Sequence, residues 1–148
     1  MLFFKKRLDD QLIDDLKEYV RDIIGILFDV HNKVPCGYHE YLFQEALDYM
    51  LTKNNVPHIK EYEHHPIFDG MVMKSCLKMD FMIQRPKGNI IIECKAIKEL
   101  TNWERNQLYS YLIGTEFPVG ILVNFGTYPK VQLEKYYFDK KDRTISSF

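Results

Sequence analysis

Leu12, Leu16, Tyr19, Ile23, Leu27 and Val30 recur three or four residues apart near the start of the chain. That spacing lays one apolar stripe along a helix and predicts one from about Asp9 to Asn32. Pro35-Cys36-Gly37 breaks the pattern. A second helix is predicted from about Tyr38 to Asn54, with Phe43, Leu47 and Met50 on one face. Glu40 lies three residues before Phe43, so it shares that face in the first turn. From Pro57 the period shortens to that of strands. Ile59 to Ile67 reads as a strand, Asp69-Gly70 as a hairpin turn, Met71 to Gln84 as a long bent strand and Ile90 to Ile97 as the next. Thr101-Asn102-Trp103-Glu104 is a capping-box pattern, and the helix it opens is predicted to reach about Thr115. On it Trp103, Gln107 and Tyr111 are spaced i, i+4, i+8. Pro118 to Phe125 reads as a buried strand, Val131 to Phe138 as a last one, and the tail is polar. A strand–helix–strand passage implies at least one parallel pair. The predicted fold class is therefore α/β, a mixed central sheet flanked by helices.

At 148 residues, 46% of them hydrophobic, the chain can bury a real core, and a single domain over 1–148 is expected, with its core at about 9–138. The formal charge of −1 does not announce a nucleic-acid binder, although active-site acids subtract from the total and local basic patches can remain. Three cysteines, Cys36, Cys76 and Cys94, show no metal-site spacing, and an odd number cannot form a full disulfide framework. A reducing cytoplasm fits that usage. Met1-Leu2-Phe3-Phe4 is too short for a signal peptide, and no run approaches a membrane span.

The candidate chemistry lies in Asn89-Ile90-Ile91-Ile92-Glu93-Cys94-Lys95-Ala96-Ile97. Alternation along a strand puts Glu93 and Lys95 on one face and Cys94 on the other. A carboxylate and an ammonium after three isoleucines are costly unless paired or coordinated. Asp80 is a third ionisable group in an apolar stretch, and only the Arg85-Pro86-Lys87-Gly88 turn separates the two segments. An antiparallel hairpin brings Asp80 near Glu93. Two carboxylates and a lysine then converge, an arrangement suited to a divalent metal and a phosphodiester.

Mg²⁺, or Mn²⁺, takes oxygen ligands. Asp80 and Glu93 supply carboxylates, the Cys94 backbone carbonyl a third oxygen, and Glu40 a ligand held directly or through water. Lys95 orients a water or stabilises the charge of the transition state. Gln107 and Tyr111 share a helix face and can position the nucleophile, the phosphate or Lys95. His31, at the end of the first helix, can touch substrate or hydrogen-bond Glu40. Each position also has a structural reading. Glu93 and Lys95 can form a plain ion pair, Glu40 can complement a helix dipole, Gln107 and Tyr111 can pack, and His31 can cap its helix. His64-His65 reads as strand surface, the Cys94 side chain as core, and Trp103 as helix-to-sheet packing, with base stacking its alternative.

Element order and residues together resemble the PD-(D/E)xK nuclease superfamily, whose core is a helix, three antiparallel strands, a helix and a further strand. Asp80 matches the motif aspartate and Glu93-Cys94-Lys95 the (D/E)-x-K. Gln107-Leu108-Tyr109-Ser110-Tyr111 matches the Q-x-x-x-Y of the branch that holds recombination exonucleases. The chain also looks like the small proteins named for a GxxExxY motif. Their Val-His, glycine loop and acid stand here as Val30-His31 and Gly37-Tyr38-His39-Glu40-Tyr41-Leu42-Phe43. Phe43 replaces the name-giving tyrosine, and Pro35-Cys36-Gly37 replaces a Gly-Pro-Gly-like loop. The likeness covers about residues 20 to 138. It implies a restriction-endonuclease-like fold and metal-dependent hydrolysis of DNA phosphodiesters, with Asp80, Glu93, Lys95, Gln107 and Tyr111 catalytic and His31 and Gln107 on the substrate. The rival reading is a catalytically silent nucleic-acid-binding or regulatory module on the same fold. A third is a structural homodimer with a fortuitous ion pair. The small size also allows an enzyme that needs a partner subunit.

Overall fold

The structure is a computed structural model that describes residues 7–34 and 39–148. The predicted break at Pro35-Cys36-Gly37, and Tyr38 after it, lie outside the described residues. Helix α1 spans Asp10–Lys33, and its N-cap Asp9 accepts the Leu12 N–H through its side chain at 2.8 Å. The predicted stripe is its buried face, with Leu16, Val20, Ile23, Leu27 and Val30 out of solvent. Helix α2 spans Glu40–Lys53 and buries Phe43, Leu47 and Leu51. Helix α3 spans Asn102–Thr115 and starts in the predicted capping box of Thr101 and Glu104.

Six strands form the main sheet: β1 (His58–His64), β4 (Leu77–Ile83), β5 (Ile90–Lys95), β6 (Val119–Asn124), β7 (Gln132–Asp139) and β8 (Thr144–Ser147), in the spatial order β1-β4-β5-β6-β7-β8. Only β5 and β6 are parallel, and α3 makes the crossover between them. The fold is thus the α/β arrangement of a mixed, mostly antiparallel sheet flanked by helices. One face packs Phe81, Ile90, Ile92, Cys94, Ile121 and Val123 against α1 and α2. The other packs Met79, Ile91 and Leu122 against Leu108, Tyr111 and Leu112 of α3. No helix among the described residues is long and apolar enough to cross a membrane.

Two segments depart from expectation. The long strand predicted over Met71 to Gln84 is two strands, β3 (Met71–Val72) and β4. β3 pairs with β2 (Ile67–Phe68) around Asp69 and Gly70, both at positive φ (49° and 79°), the backbone of a tight hairpin turn. The Met73 N–H bonded to the Pro66 carbonyl closes that hairpin at 2.9 Å. The tail, read as polar, forms β8. The Asp139 carboxylate accepts the Lys141 and Asp142 N–H groups in the turn before it, and Ile145 then enters the core.

Arg105 of α3 holds Glu134 of β7 through two parallel hydrogen bonds, both 2.8 Å. This bidentate pair ties the crossover helix to the far half of the sheet. It holds the Glu134 carboxyl below its ordinary value. A depressed folded value means the pair stabilises the protein above the ordinary carboxylate range and loses that stability as pH falls through the lowered value. Glu134→Gln is expected to cost about 1–2 kcal/mol at pH 7. In urea denaturation, the difference from wild type should close as the solution is acidified below about pH 4, the unfolded carboxylate range.

Candidate active site

The ladder between β4 and β5 runs Ile83↔Ile90, Met82↔Ile91, Phe81↔Ile92 and stops there. On the other side, β1 and β4 skip the Glu61 and Asp80 pair, and Glu61 has a positive φ of 55°. Met79 and Phe81 should share a face, yet Met79 packs toward α3 and Phe81 toward α1 and α2. The strand therefore changes face at Asp80, with no residue added to either strand. β5 meanwhile continues along β6 to Lys95↔Asn124. The two strands open like a fork, and two buried N–H groups lose their ladder partners. Side chains replace them reciprocally. The Asp80 N–H donates to Glu93 Oε1 and the Cys94 N–H donates to Asp80 Oδ2, both at 2.8 Å.

This clasp holds two carboxylates in a poorly hydrated place. Burial, and next the Asp80 charge, push the Glu93 carboxyl up to about 8. Asp80 is raised chiefly by burial, against the Cys94 N–H bond and the Lys95 charge. Glu40 opens α2 on the other layer and is raised by burial and then by Asp80, so it faces the same charges. Gln44, one turn on, donates to Glu40 Oε1 at 2.9 Å. Lys95 makes no ion pair within 4.0 Å among the described residues; its Nζ donates to Gln107 Oε1 at 2.9 Å. The plain Glu93–Lys95 ion pair is therefore not what the structure contains. Tyr111, a turn beyond Gln107, is buried and pushed up to about 12 by burial, then by Glu93 and Asp80. Glu40, Asp80, Glu93, Lys95, Gln107 and Tyr111 thus gather at the open end of the fork.

Two residues sit differently. His31 is only 5% exposed; its Nε2 is hydrogen-bonded to the Thr127 carbonyl at 2.7 Å, and its ring stacks on Tyr128. The β6–β7 loop, not Glu40, is its partner. Trp103 does not pack onto the sheet but stands 79% exposed, while Leu100, three residues before it, is buried in the core. The Cys94 side chain is core on the face opposite Glu93, as expected.

Asn124 and Gln132 escaped the sequence reading. Asn124 is fully buried; its Oδ1 accepts the Ile97 and Gly126 N–H groups, and its Nδ2 donates to the Ile97 carbonyl. Gln132 Oε1 accepts the Leu100 N–H. Together they brace the chain leaving Lys95. Gly126 fits against it so tightly that a Cβ would lie 2.5 Å from the Ile97 carbonyl oxygen. The available signal was an amide ending a run of apolar residues, Val119-Gly120-Ile121-Leu122-Val123-Asn124.

Known proteins speak to this arrangement. Residues 17–136 match the PD-(D/E)XK nuclease superfamily. The chain belongs to that superfamily. No curated protein matches it. Among solved structures it is similar to "Crystal structure of SSO0001", at 25% identity and a TM-score of 0.49, over 64% of this chain and 48% of that one. The chain thus spans about half the length of that protein.

The clasp separates charge from hydrogen bonding, and this can be measured. Asp80→Asn keeps an acceptor for the Cys94 N–H and removes one charge from the cluster. It is expected to fold and to melt at or above the wild-type midpoint in EDTA. Asp80→Ala also removes the charge but strands the N–H, and should be about 1–3 kcal/mol less stable than Asp80→Asn in urea titrations.

Proposed function

We propose that this protein is a metal-dependent nuclease that hydrolyses phosphodiester bonds of DNA, with Mg²⁺ or Mn²⁺ as cofactor. The observation that carries the reading is the clasp itself. Asp80 and Glu93 each spend one oxygen on a main-chain N–H, and the two carboxyls lie within hydrogen-bonding reach of one another, so a cation can take the place of a proton between them. The donors are hard oxygens, and their mutual repulsion favours a cation between them. The set suits a hard divalent cation that keeps several waters. Glu40, Asp80 and Glu93 do not bring one oxygen each to within 4.8 Å of one another; among the described residues the trio that meets that test is Glu63, His65 and Cys76, exposed at the neck of the β2–β3 hairpin. Asp80, Glu93 and the Cys94 carbonyl would therefore hold the ion directly and Glu40 through a water. Bound there, the ion supplies neutralisation of phosphoryl charge and a more acidic water.

The chain's own residues do the rest. Lys95 has three N–H donors; Gln107 takes one and aims the others. An amine held by a neutral amide is not spent on an ion pair with its holder. It orients the attacking water and stabilises the charge that grows on the phosphoryl oxygens in the transition state. Tyr111, held protonated by burial and the neighbouring acids, lies beside Gln107, where its hydroxyl oxygen is placed to receive the amide N–H while the amide oxygen serves Lys95. Within the superfamily, Val30-His31 and Glu40 to Phe43 support a place beside the GxxExxY proteins. Phe43 is fully buried and stacked on Phe125, where those proteins carry tyrosine. The exposed free Cys76 and buried free Cys94 suit a reducing cytoplasm.

Thermal melts test the metal. Millimolar Mn²⁺ should raise the wild-type midpoint relative to EDTA, with a stabilisation of about 2.7 kcal/mol at 100-fold Kd. An unmoved midpoint counts against the site. Single-turnover cleavage of labelled single-stranded and duplex DNA tests the chemistry. Lys95→Ala should slow it by on the order of 10²-fold or more while keeping the Mn²⁺ shift. Equal rates would place the activity elsewhere. Metal binding without cleavage by wild type would instead support the silent binding module, which the charge of −1 favours.

A further inference from the structure

We propose that Trp103 is a stacking platform for an unpaired nucleobase beside the phosphate received at Lys95, so that the site takes single-stranded or frayed nucleic acid. The inference rests on the nuclease reading and gives it a substrate class. Trp103 is the chain's only tryptophan and stands 79% exposed. Its neighbours Thr101 and Asn102 are exposed and polar, so the indole is not part of a broad apolar patch of the kind that buries against a protein.

Its position is determined by the helix. Trp103 lies one turn, about 5.4 Å of axial rise, before Gln107, and Gln107 is the hydrogen-bond partner of Lys95. Glu104, the next residue, is close enough for the Lys95 charge to lower its carboxyl, after the larger effect of Thr101. The turn that carries the indole is rigid. Thr101 Oγ1 accepts the Trp103 N–H at 3.2 Å, Glu104 accepts the Thr101 N–H at 2.7 Å, and Arg105 donates to Asn102 Oδ1 at 3.1 Å. The backbone that carries the indole is thus fixed on the turn next to Lys95, so a ligand has to order only the side chain.

Charge explains why such a platform is needed. A chain of net charge −1 gains little from broad phosphate neutralisation. Stacking on an aromatic ring supplies about 1–3 kcal/mol per base and accepts any base. In duplex DNA both faces of each internal base are already covered. Only an unpaired or terminal base can lie on the indole.

The lone tryptophan makes the test direct. Wild type, Trp103→Ala and Trp103→Phe are titrated with a labelled single-stranded 20-mer and with the matching blunt duplex, with Ca²⁺ in place of Mg²⁺. Anisotropy reports binding and indole emission reports stacking. The single strand should quench wild-type emission and the duplex should not. Trp103→Ala should weaken single-strand binding by about 5- to 150-fold, which is that stacking energy at 1.4 kcal/mol per decade. Trp103→Phe should recover most of it, and all three proteins should melt alike. Binding with unchanged emission, and with Trp103→Ala at the wild-type Kd, would overturn the platform and leave the nuclease reading standing. If wild type binds no strand and also shows neither the Mn²⁺ shift nor cleavage, the nuclease reading fails and takes this proposal with it.

Discussion

Two main-chain N–H groups, those of Asp80 and Cys94, lose their strand partners where β4 and β5 part, and each is satisfied by a carboxylate from the opposite strand. A buried N–H without an acceptor costs about 1–3 kcal/mol, so the fork can open only because the two acids are there. The acids in turn are held close only because the N–H groups fix them. Backbone geometry and the placing of two buried carboxylates are thereby one interaction. A chain that kept the fork with apolar residues would be left with stranded donors. One that closed the fork would have nowhere to keep a pair of carboxylates.

The lysine is governed by a longer line of contacts. Lys95 leans on Gln107, whose position on α3 depends on the capping box at one end and on the Arg105–Glu134 pair that ties the helix to β7. The chain between Lys95 and α3 is tied in turn by Asn124 and Gln132 at the ends of β6 and β7. Each support is a neutral amide or a paired charge. None competes with Lys95 for an anion, and none adds a free charge to the already crowded acids.

Much of this was legible in the sequence, for reasons that differ by element. The stripe of α1 and the Thr101–Glu104 box are local patterns, and local patterns survive folding. Strand parity paired Glu93 with Lys95, and the short Arg85–Gly88 turn brought Asp80 to them. The fork was not legible, because a face change at one residue leaves no mark in an apolar run such as Met79-Asp80-Phe81-Met82. β8 was missed because Thr144-Ile145-Ser146-Ser147 offers a single large apolar side chain, and its burial depends on the neighbouring strand. Trp103 was misplaced because its spacing with Gln107 and Tyr111 says which residues share a helix face. It does not say which residues of that face the sheet covers. The Asn124 bracket joins residues far apart in sequence, and such contacts have no local signature.

The outer strand β1 carries one more consequence. An unpaired strand edge is a template on which another chain can add and from which ordered aggregates can grow. Along β1 that edge bears Lys60 and Glu63, and at Glu61 the backbone takes a positive φ that spoils the straight run of donors and acceptors. The irregularity that opens the fork on one side of β4 thus also roughens the rim on the other. The same kink that makes room for two acids makes the sheet a poor surface for polymerisation.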